Sequence, residues 1–154
     1  MTASIVPLFP DPLGGLDPCQ RADTYSDWLL AGAAGLLADT AAVQLLAEHR
    51  TWLTRGSFTS RYIEIHDIPG QQITTASIRW RAAVAGLRHQ PASLSEKAVL
   101  RIAASIGGSV PADLHGCLGT LDTPTIQAVL RAVAHANNGH AGHGLICRRY
   151  DDRY

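Results

Sequence analysis

Four side chains near the end of the chain carry the donor atoms that bind transition metals: His135, His140, His143 and Cys147. Imidazole nitrogen together with thiolate sulfur suits zinc or nickel. The gaps between them hold four, two and three residues, so all four donors fall in one short glycine-rich segment. Structural zinc sites usually bridge two separated knuckles. The plainer reading is therefore a polar loop after a helix, with His135 answering the negative end of the helix dipole. His115 and Cys117 carry the same donors earlier in the chain. Zinc at His135, His140, His143 and Cys147 stands as one expectation; otherwise no cofactor is expected.

A second constellation is Tyr62, Glu64 and His66. In a strand these three project from one face, and a carboxylate beside an imidazole is a general acid–base pair if both reach a pocket. The competing expectation is the solvent face of an edge strand, where charge discourages edge-to-edge pairing. No nucleophile motif accompanies the pair. The chain contains no GxxxxGK[ST], GxGxxG, HExxH or GxSxG, the patterns that cradle phosphate, hold zinc or present a serine. Cys117 stands on an apolar-faced segment, where a buried thiol is the ordinary outcome. With no chemical motif to build on, catalytic residues are not assigned.

Trp28, Trp52 and Trp80 fall on three different expected helices. Trp80 lies between Arg79 and Arg81, and tryptophan with arginine is the pairing enriched at contact hot spots. Phe9 adds an apolar anchor near the N-terminus. The first functional expectation is thus a non-enzymatic binding or self-association module. It would use Trp80, Arg79, Arg81 and Phe9 toward a protein partner or a second copy of the chain.

Residues 95–154 give a second expectation. A helix, a glycine turn, a short helix over 110–118, a turn at Thr120–Pro124, a longer helix over 123–135 and an extended Gly144-Leu145-Ile146 stretch follow in order, ending in Arg148 and Arg149. This order resembles a winged helix-turn-helix regulator. The resemblance implies that the longer helix enters the major groove and that a basic wing meets the backbone. It assigns Thr125, Gln127, Arg131, Arg148 and Arg149 to nucleic acid.

These side chains need a body to position them. Ser26 is expected to cap a helix over 27–37, and Asp39 or Thr40 one reaching Leu53 and stopped by Gly56. Phe58, Tyr62, Ile63 and Ile65 predict a strand within 57–67, closed by Pro69 and Gly70. Residues 71–73 or the tail at 145–149 are its candidate partners. Thr74 or Thr75 is expected to open a third helix to Leu87. Ser93 and Glu96 form a capping box before Val99, Leu100, Ile102, Ala103 and Ile106. Pro111 starts a short helix, and Asp122 with Pro124 opens the last one, whose stripe is Ile126, Val129, Leu130 and Val133. The fold class is mainly α: a single-domain helical bundle of five to six helices with one short β-strand or hairpin. Pro7, Pro10, Pro12 and Pro18 make residues 1–22 an extended arm. The helical domain spans 23–139, and residues 140–154 form a tail or wing-like segment.

Composition bounds the rest. The 154 residues are 46% hydrophobic and 17% charged, with thirteen basic against thirteen acidic groups. A chain this long buries roughly two-thirds of its unfolded surface and folds without disulfides. Zero net charge argues against a binder that works on nucleic acid through bulk charge. Three widely spaced cysteines without CxxC suit a reducing cytoplasm. Met1 to Phe9 lacks a basic n-region, so no signal peptide is expected. The apolar run over 28–38 is about half a bilayer span, so neither is a transmembrane helix or a membrane partner.

Overall fold

A computed structural model describes residues 12–67 and 70–138. Among these residues there are seven α-helices, one 3-10 turn and one two-stranded antiparallel hairpin. The mainly α architecture with a single hairpin is the expected one. Phe9, His140, His143, Cys147, Arg148 and Arg149 lie outside the described residues.

Helix α1, Pro18–Gly32, starts inside the stretch expected to be an arm. Asp17 is its N-cap: the carboxylate Oδ1 accepts from the Cys19 amide at 2.8 Å and the Gln20 amide at 3.3 Å. Pro18 follows at the first helical position, where its missing N–H costs nothing. The Asp-Pro step is a helix start rather than a breaker. Ser26, expected as a cap, instead lies mid-helix and donates to the Ala22 carbonyl at 2.7 Å. The helix ends at Gly32, and Gly35 turns the chain with φ +86°.

Helix α2, Leu37–His49, has no side-chain cap; Asp39 and Thr40 lie within its first turn. It stops at Arg50, which takes φ 59°, earlier than the expected Leu53. Ala41, Ala42, Val43, Leu45 and Leu46 are buried, and α2 packs against α1, α5 and α7. It is the central rod of the fold.

Helix α3, Gly56–Tyr62, occupies the first half of the expected strand. Phe58 and Tyr62, four residues apart, line up along it. Phe58 packs on Trp52 with centroids 5.1 Å apart, and Tyr62 on Phe58 at 5.4 Å. Helical spacing buries both rings, so tertiary packing overrides their β-propensity. Strand β1, Ile63–Asp67, pairs with β2, Thr74–Ile78, in the register Ile63↔Ile78 to Asp67↔Thr74. The threonines expected to cap a helix are therefore ladder residues. β-branched side chains fit the pleat, and Ala76 and Ile78 turn inward. Gly32 of α1 crosses β2 so closely that a Cβ there would lie 2.2 Å from the Ala76 carbonyl oxygen.

Helix α4, Trp80–Ala85, is what remains of the expected third helix, and the 3-10 turn Gly86–His89 continues it. Helix α5, Leu94–Gly108, opens on the expected capping box: Ser93 Oγ accepts from the Glu96 amide at 3.1 Å and Glu96 Oε2 accepts from the Ser93 amide at 2.7 Å. Helix α6, Leu114–Leu118, is N-capped by Asp113, so Pro111 precedes it rather than opening it. Helix α7, Thr123–Asn138, starts where expected; Asp122 Oδ1 accepts from the Thr125 amide at 2.9 Å. Its buried side differs from the expected stripe. Ala128, Val129, Ala132 and His135 face inward, whereas Leu130 and Val133 are 48% and 51% exposed. Small residues let α7 approach α2 closely, which selects the alanine face over the leucine face.

Candidate functional site

Arg79 joins β2 to α4, and Trp80 is the first residue of α4. Trp80 is 9% exposed. Its ring lies against the end of α5: a Cβ placed on Gly108 would sit 2.5, 2.6 and 2.8 Å from Trp80 Cβ, Cγ and Cδ1. On Gly107 it would sit 3.5 Å from both Nε1 and Cζ2 of the indole. Gly108 thus makes room for the tryptophan, whereas the nearest atom to a Cβ on Gly107 would be Ala42 Cβ of α2, at 2.7 Å. Arg79 Nη2 donates to the Arg61 carbonyl, and its Nε lies 3.5 Å from Glu64 Oε1, tying the α4 entry to the hairpin. Arg81 is exposed and makes no hydrogen bond or ion pair among the described residues. Together with Ala82, Ala85 and Gly108, these three residues line an open groove of about 550 Å³ with almost wholly apolar walls. The sequence-predicted trio Arg79, Trp80 and Arg81 is therefore brought to one surface feature.

A second cleft of about 260 Å³ lies between α2 and α7, lined by Gln44, Leu45, Glu48, Ala128, Arg131, Ala132 and His135. It gathers one residue expected to meet DNA and one expected to bind zinc. Arg131 is held in an ion pair with Glu48 across the two helices. His135 is 8% exposed, packed on the helix face turned to α2. The Thr125 amide serves the helix cap, and Gln127 is exposed. Among the described residues no three His, Cys, Asp or Glu side chains come together as a metal site.

The hairpin separates the proposed acid–base trio. Tyr62 ends α3 and is buried in the core, while Glu64 and His66 stand on the exposed face of β1. His66 Nε2 and Ser77 Oγ share a hydrogen bond of 2.9 Å, and Glu64 pairs with Arg79. Both groups are engaged on an open face, as expected of an edge strand. Cys117 is buried, and burial raises its thiol above the ordinary range, with Asp113 adding to the shift against Arg101. A thiol kept protonated is a poor nucleophile.

One polar cluster escapes a reading of the chain alone. Trp52 Nε1 donates to the Glu96 carbonyl at 2.9 Å. Glu96 Oε2 accepts from Arg55 Nη2 at 3.0 Å, and the Arg55 guanidinium lies 4.9 Å from the Trp52 ring centroid. Burial works to raise the Glu96 pKa, but the Ser93 amide and the Arg55 guanidinium outweigh it and hold the carboxyl below its usual range. Burial lowers His49 beside it, against the pull of Glu96 and Asp122. His49 Nδ1 and Arg55 Nη1 are buried without a hydrogen-bond partner among the described residues. The capping box signals half of this cluster; Trp52, 44 residues before Glu96, gives no local sign of the other half.

Compared with known protein families, curated proteins and solved structures, the chain matches none. The groove presents an apolar floor with a guanidinium at its rim that has no partner among the described residues.

Proposed function

We propose that the protein is a non-enzymatic binding module whose Arg79–Trp80–Arg81 groove takes a partner-protein segment that is apolar and carries a carboxylate. One observation carries this reading: the groove is floored by Trp80, walled by apolar surface, and edged by Arg81, which no acidic group among the described residues neutralises. Arg79 is already shared with Glu64 and the Arg61 carbonyl, so the electrostatic preference rests on Arg81. A planar guanidinium meets a carboxylate through two parallel hydrogen bonds. An aromatic floor supplies contact area at low entropic cost. Charge favours a protein segment over nucleic acid here, because Arg131 on α7 is spent on Glu48 and the net charge is zero.

The test uses a displayed library of peptides pairing Leu or Phe with Asp or Glu, screened against the whole protein. Selected peptides are then measured by fluorescence polarisation, with their Asn and Gln counterparts as controls. Arg81→Glu is expected to weaken binding at least tenfold, since a charge-assisted pair is replaced by repulsion. The amide peptides should bind as weakly to the wild type as the acidic ones bind to the variant. Acidic and amide peptides binding equally well, or an unchanged affinity in Arg81→Glu, would refute the proposal.

A further inference from the structure

The helix directions decide which part of the chain meets the Trp80 groove. Glu96 at the start of α5 and Asp122 at the start of α7 both act on His49, the last residue of α2. At its other end α5 meets the first half of α2, where a Cβ on Gly107 would touch Ala42. Helices α5 and α7 therefore both run antiparallel to α2 and finish together at its beginning. Gly108 ends α5 there and lines the groove, and Asn138 ends α7 at the same end of the bundle. Helix α1 starts at the opposite end. Asp23 pairs with Arg50 at 2.9 Å, and the Cys19 carbonyl accepts from Arg50 Nη2 at 3.3 Å, just past the end of α2.

Two stretches of the chain adjoin this body, and they differ in what they bring to a cationic, apolar groove. Residues 1–10 contain no acidic side chain. Asp11 adjoins Pro12 and the turn that the Leu16 amide closes on the Leu13 carbonyl, beside the start of α1. The length of α2, about 20 Å, separates that carboxylate from the groove. Residues 139–154 follow Asn138, at the groove's own end. They carry Tyr150 and, directly after it, Asp151 and Asp152, their only acidic residues. The thirteen residues from Asn138 to Asp151 reach roughly 43 Å when extended, at ~3.3 Å each. Resting on the preference proposed for the groove, we infer that Tyr150, Asp151 and Asp152 of the same chain occupy it, the tyrosine ring on Trp80 and a carboxylate at Arg81, so that an outside segment binds only by displacing them. Arg148, Arg149 and Arg153 flank the trio, so the contact depends on the acidic pair and not on the net charge of the tail. A short tether holds the trio at an effective concentration on the order of millimolar, which makes a weak contact a standing one.

The test places a nitroxide on Cys147 of the full chain carrying Cys19→Ser, since Cys19 is exposed and Cys117 buried. The Trp80 indole and the Ala82 and Ala85 amides should lose signal in heteronuclear NMR spectra, while the Trp52 indole, held by the Glu96 carbonyl at the far end of α2, keeps it. Arg81→Glu and Asp151→Asn/Asp152→Asn should each recover most of the Trp80 signal, with circular dichroism confirming the fold. A Trp80 signal that never weakens, or that stays weakened in both variants, overturns the inference. So does broadening that passes from a spin-labelled chain to an isotope-labelled one, since a second copy would then be the occupant. Acidic peptides selected on the groove separate this inference from the reading beneath it. They should bind Asp151→Asn/Asp152→Asn roughly threefold or more tighter than the wild type, because a tethered competitor has been removed. Equal affinity overturns the inference and leaves the groove to a partner segment alone. Acidic peptides that bind neither protein refute the groove's preference itself, and the inference falls with it.

Discussion

Replacing Gly108 by alanine sets two effects of opposite sign against each other, and their sizes decide the result. Alanine is the better helix former by up to ~1 kcal/mol in a helix interior, and by less at a last residue such as this one. Against that, the new Cβ would stand 2.5, 2.6 and 2.8 Å from three atoms of Trp80, well inside the ~3.5–4.0 Å of carbon–carbon contact. The nearest of those atoms is Cβ, which is fixed to the backbone of α4, so no rotation of the side chain relieves that contact. Overpacking of this kind costs about 1–3 kcal/mol. The expected balance is a net loss of about 1–2 kcal/mol, which lowers Tm by roughly 2–8 °C in a chain of this length. Gly119→Ala is the control, because its Cβ meets nothing nearer than 3.8 Å, the His115 carbonyl oxygen. Differential scanning calorimetry reads the stability, and near-ultraviolet circular dichroism reads the displaced indole. The same variant should weaken peptide binding although Arg81 is untouched. A Gly108→Ala protein as stable as Gly119→Ala, with an unaltered aromatic signal, would refute the seating of Trp80 on α5.

The cluster around Glu96 yields a graded pair of variants. Glu96→Gln keeps a side chain that accepts from the Ser93 amide but removes the charge facing Arg55, and is expected to cost about 1 kcal/mol; Glu96→Ala loses both contacts and about 2 kcal/mol. Chemical denaturation measures both, and a zero coupling energy in a cycle with Arg55→Met would sink the assignment of that pair. Acid sensitivity follows from His49. Its folded pKa is depressed by burial, so its stabilising contribution is complete above about pH 6.5, the unfolded value, and is lost as pH falls from there through the depressed folded value. Glu96, also depressed, adds a further loss below about pH 4.3. Denaturation midpoints should fall between pH 7 and pH 5 in the wild type, and His49→Gln should flatten that limb; an unchanged slope would show that other groups govern it.

Where a residue's role is decided by its chain neighbours, the sequence reveals it. Ser93 and Glu96 announce the start of α5 because both capping partners lie within one turn. Asp122 and Pro124 announce α7 for the same reason. Asp17 and Pro18 use equally local chemistry, but a cluster of prolines upstream makes the step look like the end of an arm rather than the start of a helix. Thr74 to Ile78 is different. Threonine serves as a helix cap or as a ladder residue, and the choice falls to β1 and to the Gly32 backbone pressing on Ala76. No local pattern reports a neighbour more than forty residues away.

The candidate sites divide along the same line. Trp80 between two arginines is visible as a triplet, and the groove needs only that α4 stay short and that Gly108 end α5. The stripe on α7 is visible as a period, yet a period sets only the spacing of the apolar residues and leaves the buried phase open. That phase is chosen by α2, whose Leu45 meets Ala128 and Ala132 in the shared cleft. Small side chains let the helices close up, and Arg131 finds Glu48 only in that orientation. The larger aliphatic residues are thereby left outside. Had the fold needed Leu130 and Val133 for its core, α7 would be rotated and Arg131 would face solvent, available to a phosphate. The orientation observed pairs the cation with Glu48 at the surface and leaves leucine and valine exposed beside it. The same rotation that ties Arg131 to Glu48 leaves an uncharged aliphatic line exposed on α7.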